Sequence, residues 1–125
     1  MRALVIDDST AMRSILGRML RELGFEVLEA GNGREAIARL QAPGQVDLAL
    51  VDWNMPEMDG LEFVRRVRAE GAPEGIRLVM VTSEAEAGRM ALALAEGADE
   101  YVMKPFNRQV LEDKLGLLGL LASEA

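Results

Sequence analysis

Three aspartates, a threonine and a lysine are the residues of this chain best placed to do chemistry. Asp7 and Asp8 close the apolar run Leu4-Val5-Ile6, Asp52 closes Leu48-Ala49-Leu50-Val51, Thr82 closes Ile76 to Val81, and Lys104 follows Tyr101-Val102-Met103. Burying an ionised carboxylate at the tip of such a run is expensive unless something pairs with it. Three gathered carboxylates repel one another unless they hold a cation or stay partly protonated. The chain has no cysteine and no histidine, so its metal chemistry rests on hard oxygen donors, which suit Mg²⁺ or Mn²⁺. The Thr82 hydroxyl and the Lys104 ammonium suit a phosphoryl group. The chemistry that fits is attack by an ionised Asp52 on a phosphoryl donor, giving an aspartyl phosphate without a general base. The cation and Lys104 would neutralise the equatorial oxygens. A structural salt bridge between Lys104 and the carboxylates is the alternative reading of the same residues.

These side chains meet only if their runs are strands of one parallel sheet with their ends on a common edge. The intervening segments support that. Met12, Ile15, Leu16, Met19, Leu20 and Leu23 recur at helical spacing, with Ser9 or Thr10 as N-cap and Gly24 as stop. Phe25 to Ala30 reads as a second strand, followed by a Gly31-Asn32-Gly33 turn. Ala36, Ile37 and Leu40 mark a second helix closed by Pro43-Gly44, and Val46 to Val51 the third strand. Leu61, Val64 and Val67 mark a third helix ending near Gly71-Ala72-Pro73, with Asp59-Gly60 at its start. A fourth helix is expected from Ala85 to Glu96, weakened by Gly88, and a last one carries Val110, Leu111, Leu115 and Leu118. Five strands alternating with five helices predict a single doubly wound α/β domain over residues 1–125, helices on both faces. Ligands bind such sheets at the carboxyl ends of the strands. The second strand, ending in Ala30-Gly31, offers no chemistry.

Bulk properties narrow the function. A net charge of -7 over 125 residues argues against a nucleic-acid partner, which needs a basic footprint. Short apolar segments broken by charge, with no signal-peptide pattern at the N-terminus, predict a soluble cytoplasmic protein without membrane contact.

Asp7-Asp8, Asp52-Trp53-Asn54-Met55-Pro56-Glu57-Met58-Asp59-Gly60, Val81-Thr82 and Tyr101-Val102-Met103-Lys104-Pro105-Phe106 resemble the receiver domain of bacterial two-component response regulators. The likeness spans essentially the whole chain and is greatest to the single-domain chemotaxis members. It implies a flavodoxin-like (βα)5 fold with strand order 2-1-3-4-5. It implies Asp52 as acceptor of a phosphoryl group from a histidine kinase of the CheA type. Asp7, Asp8, Asp52 and the Asn54 backbone carbonyl match the Mg²⁺ ligands, and Thr82 and Lys104 the groups that contact the phosphoryl. Tyr101 matches an aromatic switch that swings inward when Thr82 moves. Lys104-Pro105 resembles a bond the family keeps cis, and Glu84 a residue that tunes access to the phosphoryl group. Read without the family, Asn54 is a turn residue, Tyr101 plain surface, Glu84 a helix-start acid, Trp53 a partly buried aromatic, and the methionines core. The family's signalling surface is formed by the fourth helix, fifth strand and fifth helix.

The sequence departs from the chemotaxis members on that surface. Glu84-Ala85-Glu86-Ala87-Gly88 stands where lysines are expected, and Gly116, Leu117, Gly119 and Leu120 make the end of the last helix apolar. The partner is therefore open: a flagellar motor-switch protein, a kinase that uses the chain as a phosphate sink or relay, or another complex. The apolar end from Leu117 to Leu121 could be an interface or the cut end of a larger regulator. Two other classes fit poorly. A metal-dependent phosphohydrolase needs a substrate pocket and an acid/base residue after Asp52, and a nucleotide or flavin binder needs a Gly-rich cradle where Asp7-Asp8-Ser9 stands.

Overall fold

A computed structural model describes residues 1–42, 44–70, 75–83 and 88–121. Along the chain run β1 (Arg2–Ile6), α1 (Thr10–Glu22), β2 (Glu26–Ala30), α2 (Gly33–Gln41), β3 (Leu48–Asp52), α3 (Gly60–Ala69), β4 (Arg77–Thr82), α4 (Met90–Glu96), β5 (Glu100–Met103) and α5 (Arg108–Leu117). The strands pair in parallel in the order β2-β1-β3-β4-β5, as expected. The order reverses between β1 and β3, where Ile6 pairs with Val51. Asp7 and Asp52 therefore flank the point at which an open parallel sheet leaves a crevice.

Alternation along each strand splits the core into two layers. Ala3, Val5, Leu48, Leu50, Val79 and Val81 face α1 and α5, meeting Leu16, Leu20, Leu111 and Leu115. Leu4, Ile6, Ala49, Val51, Leu78 and Met80 face the other way, with Phe63, Val64 and Ala93. Each fully buried Leu contributes roughly 1.5–3 kcal/mol relative to exposure, so both sheet faces hold the strand tips in place. Ser9, Asn32, Asp59 and Asn107 each cap a helix, their side chains accepting the backbone amide three residues on. Ser9 rather than Thr10 is thus the first cap, and Asp59 starts a helix as read.

Several boundaries differ from the expectation. β3 begins at Leu48 rather than Val46 and includes Asp52, which pairs with Val81. Before it, Asp47 spends its side chain on the Arg2 amide, Oδ2 accepting at 2.9 Å. Phe25 lies outside β2 but is buried. Ile15, expected inside, is half exposed, because it sits about a quarter-turn from the centre of the stripe through Met12, Leu16, Met19 and Leu23. The readings at Pro43, Gly71-Ala72-Pro73 and Glu84 to Ala87 lie outside the described residues. Of the apolar tail, Leu117 is exposed, whereas Leu118, Leu120 and Leu121 fold back on the core, tied by Leu120 N–H to the Leu115 carbonyl at 3.0 Å. No helix among the described residues is long and apolar enough to cross a membrane.

Candidate phosphoacceptor site

Four strand ends deliver the predicted residues to one edge. Asp7 follows β1, Asp52 ends β3, Thr82 ends β4 and Lys104 follows β5. Asp7, Asp8 and Asp52 each offer a carboxylate oxygen, and these atoms lie within 4.8 Å of one another. Lys104 Nζ lies 3.3 Å from Asp52 Oδ1 and 3.9 Å from Asp7 Oδ2. Asp7, Asp8, Asp52, Asn54, Ser83 and Lys104 line a cavity of about 350 Å³. Asp7 and Asp52 are buried, and Asp8 stands at the solvent side.

Burial sets the electrostatics. Loss of water pushes the Asp52 carboxyl up to about 6, the Asp7 charge adds to the rise, and Lys104 opposes it. Burial also raises Asp7, against a hydrogen bond from the Ser9 amide and the charge of Lys104. The salt bridge of the alternative reading is thus present, but one ammonium does not neutralise three carboxylates. Asp7 Oδ1 accepts from Ser9 N–H at 2.8 Å, while the buried Asp7 Oδ2 has no hydrogen-bond partner. A buried acceptor left unpaired costs about 1–3 kcal/mol. Hard oxygens, excess negative charge and that orphaned acceptor fit Mg²⁺ or Mn²⁺.

The loop after β3 is shaped around the site. Gly60 N–H donates to the Trp53 carbonyl at 2.9 Å, folding the loop back on the strand end. A Cβ on Gly60 would lie 2.7 Å from the Asp52 carbonyl oxygen and 2.8 Å from Met80 Cε, so only glycine fits. Trp53 is buried rather than partly exposed, and the Arg89 guanidinium lies 5.1 Å from its ring centroid.

Thr82 is buried, its hydroxyl donating to the Ser83 carbonyl at 3.3 Å. Tyr101 is half-buried against the layer containing Trp53 and Met80, with Lys114 Nζ 4.9 Å from its ring centroid. It is more than plain surface. The Lys104-Pro105 bond is cis, as the resemblance implied.

β2 adds no side chain to the lining of the site, as expected, and its backbone only carries the sheet pairing on to Asp7. The Ala30 carbonyl accepts from Asp7 N–H at 3.1 Å, and Glu29 pairs with Arg13 at 3.3 Å. Arg13 went unremarked because its carboxylate partner, Glu29, lies on β2, which only the strand order sets beside β1. Its position six residues after Asp7, within the first turns of a helix leaving that strand, was the one signal available.

Comparison with known proteins agrees with this geometry. A model of the response regulator receiver domain matches residues 3–116. The chain is 44% identical over 116 residues to chemotaxis protein CheY1 of Helicobacter pylori strain J99, covering 92% of this chain and 94% of that one. It is 46% identical to a CheY homolog of Campylobacter jejuni, covering 92% and 89%. The solved structure of Vibrio cholerae chemotaxis protein CheY4 superposes with a TM-score of 0.85 at 34% identity, covering 94% of this chain and 97% of that one. The chain belongs to the response regulator receiver family, and it is similar to CheY members of that family.

Proposed function

We propose that residues 1–125 act as a stand-alone receiver of a chemotaxis phosphorelay, in which Asp52 takes a phosphoryl group from a histidine kinase of the CheA type. The observation that carries this is the convergence of three carboxylates within 4.8 Å of one another, with Lys104 3.3 Å from the one that ends β3. Asp7, Asp8, Asp52 and the Asn54 carbonyl would hold Mg²⁺ or Mn²⁺. When bound, that cation supplies the charge that relieves carboxylate repulsion and balances the phosphoryl oxygens.

Asp52 supplies the nucleophilic oxygen. With its carboxyl near 6, about ten molecules are ionised for each that is protonated at pH 7. An O–P bond forms as the P–N bond of phosphohistidine breaks, and the electron pair leaves on the imidazole, which takes a proton from solvent. Lys104 stays within reach of the same oxygens and offsets the charge carried into the site. Thr82, now bonded to Ser83, would turn to the phosphoryl group, and Tyr101 would follow into the space released. The surface of α4, β5 and α5 would report the change. It already exposes Leu92, Leu94, Met103 and Val110, an apolar set suited to a protein partner, a flagellar motor-switch protein first among them. The protein is cytoplasmic in this account, and its catalysis is confined to its own phosphorylation and dephosphorylation.

The test is transfer from an autophosphorylated histidine kinase of a chemotaxis system. Label should pass to the wild type in Mg²⁺, and to neither Asp52→Asn nor the wild type in EDTA. Transfer to Asp52→Asn at the wild-type rate would sink the assignment. Rapid release of inorganic phosphate from small phosphate esters would instead favour a phosphohydrolase.

A further inference from the structure

Arg13 lies on α1 with most of its side chain buried, 18% exposed. Its three donors reach the residue after β1, the strand β2 and the first turn of its own helix. Nη1 donates to the Asp7 carbonyl at 2.6 Å, Nε to Glu29 Oε1 at 3.3 Å, and Nη2 to Thr10 Oγ1 at 3.3 Å. Asp7 is thereby held at its amide by Ala30, at its carbonyl by Arg13 and at Oδ1 by Ser9. The oxygen left over is Oδ2, buried and without a hydrogen bond, in the acidic cluster.

We infer that Arg13 is a positioning residue for the cation site: it clamps the Asp7 carbonyl so that Asp7 and Asp8 present their carboxylates in a fixed arrangement. This rests on the receiver reading for the identity of the guest. A guanidinium beside a cation site would by charge alone weaken binding. Two features reduce that effect here. Its strongest contact is to a carbonyl rather than a carboxylate, and Glu29 pairs with its charge. Geometry and charge therefore predict opposite signs when Arg13 is removed. Loss of a partner that orients a metal ligand typically costs 10–100-fold in affinity. Simple removal of a nearby positive charge would tighten binding.

Arg13→Met keeps the apolar stem and deletes all three donors, and Arg13→Lys restores one donor and the charge. Mg²⁺ is titrated into each protein and followed by Trp53 fluorescence, with calorimetry as a second reading. Amide hydrogen exchange at Asp8 and Ser9 is measured in the metal-free proteins. Arg13→Met should bind Mg²⁺ about tenfold more weakly and exchange those two amides faster, while α3 and α5 amides are unchanged. Arg13→Lys should recover part of both losses. Folded Arg13→Met that binds Mg²⁺ within twofold of wild type, or more tightly, overturns the inference. If the wild type itself fails to bind Mg²⁺, the functional reading falls, and unchanged exchange at Asp8 and Ser9 in Arg13→Met would then remove the clamp as well. Faster exchange would leave it standing.

Discussion

Asp52→Asn should make the metal-free protein more stable at pH 8 although it deletes the proposed phosphoacceptor. Burial and the neighbouring Asp7 carry the Asp52 carboxyl from its ordinary 3.8 to about 6, after the opposing effect of Lys104. At about 1.4 kcal/mol for each pKa unit, the ionised form costs the folded state up to about 3 kcal/mol. The side chain is 12% exposed, so solvent screening removes little of that. The folded state binds the proton more tightly than the unfolded chain, so this group favours folding fully below pH 3.8. That advantage is lost as pH rises through about 6. Asparagine resembles the protonated acid in shape and charge. The substitution should therefore add about 2–3 kcal/mol at pH 8 and close to nothing at pH 4. For a domain of this size that is roughly a 6–12 °C rise in midpoint. Paired thermal and urea unfolding in EDTA at the two pH values measures it. Saturating Mg²⁺ should shrink the difference, because the wild type gains stability from binding and the variant gains less. An Asp52→Asn protein no more stable than wild type at pH 8 would refute the electrostatic account of the site.

Lys104→Met removes the ammonium 3.3 Å from Asp52 and should slow phosphoryl transfer about 100-fold, as loss of one preorganised donor does elsewhere; single-turnover transfer measures it. Gly60→Ala places a Cβ 2.7 Å from the Asp52 carbonyl and should cost about 1–3 kcal/mol in urea unfolding, with Mg²⁺ affinity reduced because the loop cannot close. Arg89→Ala strips the cation from the Trp53 face. It should change the emission of the sole tryptophan and cost about 0.5–1 kcal/mol; an unaltered spectrum would mean that the stacking is absent in solution.

Four strand tips were legible because their apolar runs end in residues that apolar burial does not explain. Asp7, Asp52, Thr82 and Lys104 stood out on that ground, and alternation with helices implied a parallel sheet. The order of the strands was not written there, since alternation admits several right-handed arrangements; it came from resemblance. Whatever depends on that order was lost with it. Arg13 and Glu29 look like two exposed charges until β2 is placed beside β1. Ile15 matches a helical period and still faces solvent, because spacing marks a stripe but not its width. Trp53 follows an acid in a polar loop, and nothing local says that the loop turns it into the core beneath Arg89.

The most direct measurement of the central claim is the intact mass of the protein after exposure to Mg²⁺ and a small-molecule phosphodonor, followed by borohydride reduction and peptide mapping. The account predicts a single phosphoryl adduct, lost in EDTA and in Asp52→Asn, with the reduced residue at position 52. Folded wild-type protein that takes up no phosphoryl group, or takes it up at another residue, would contradict it.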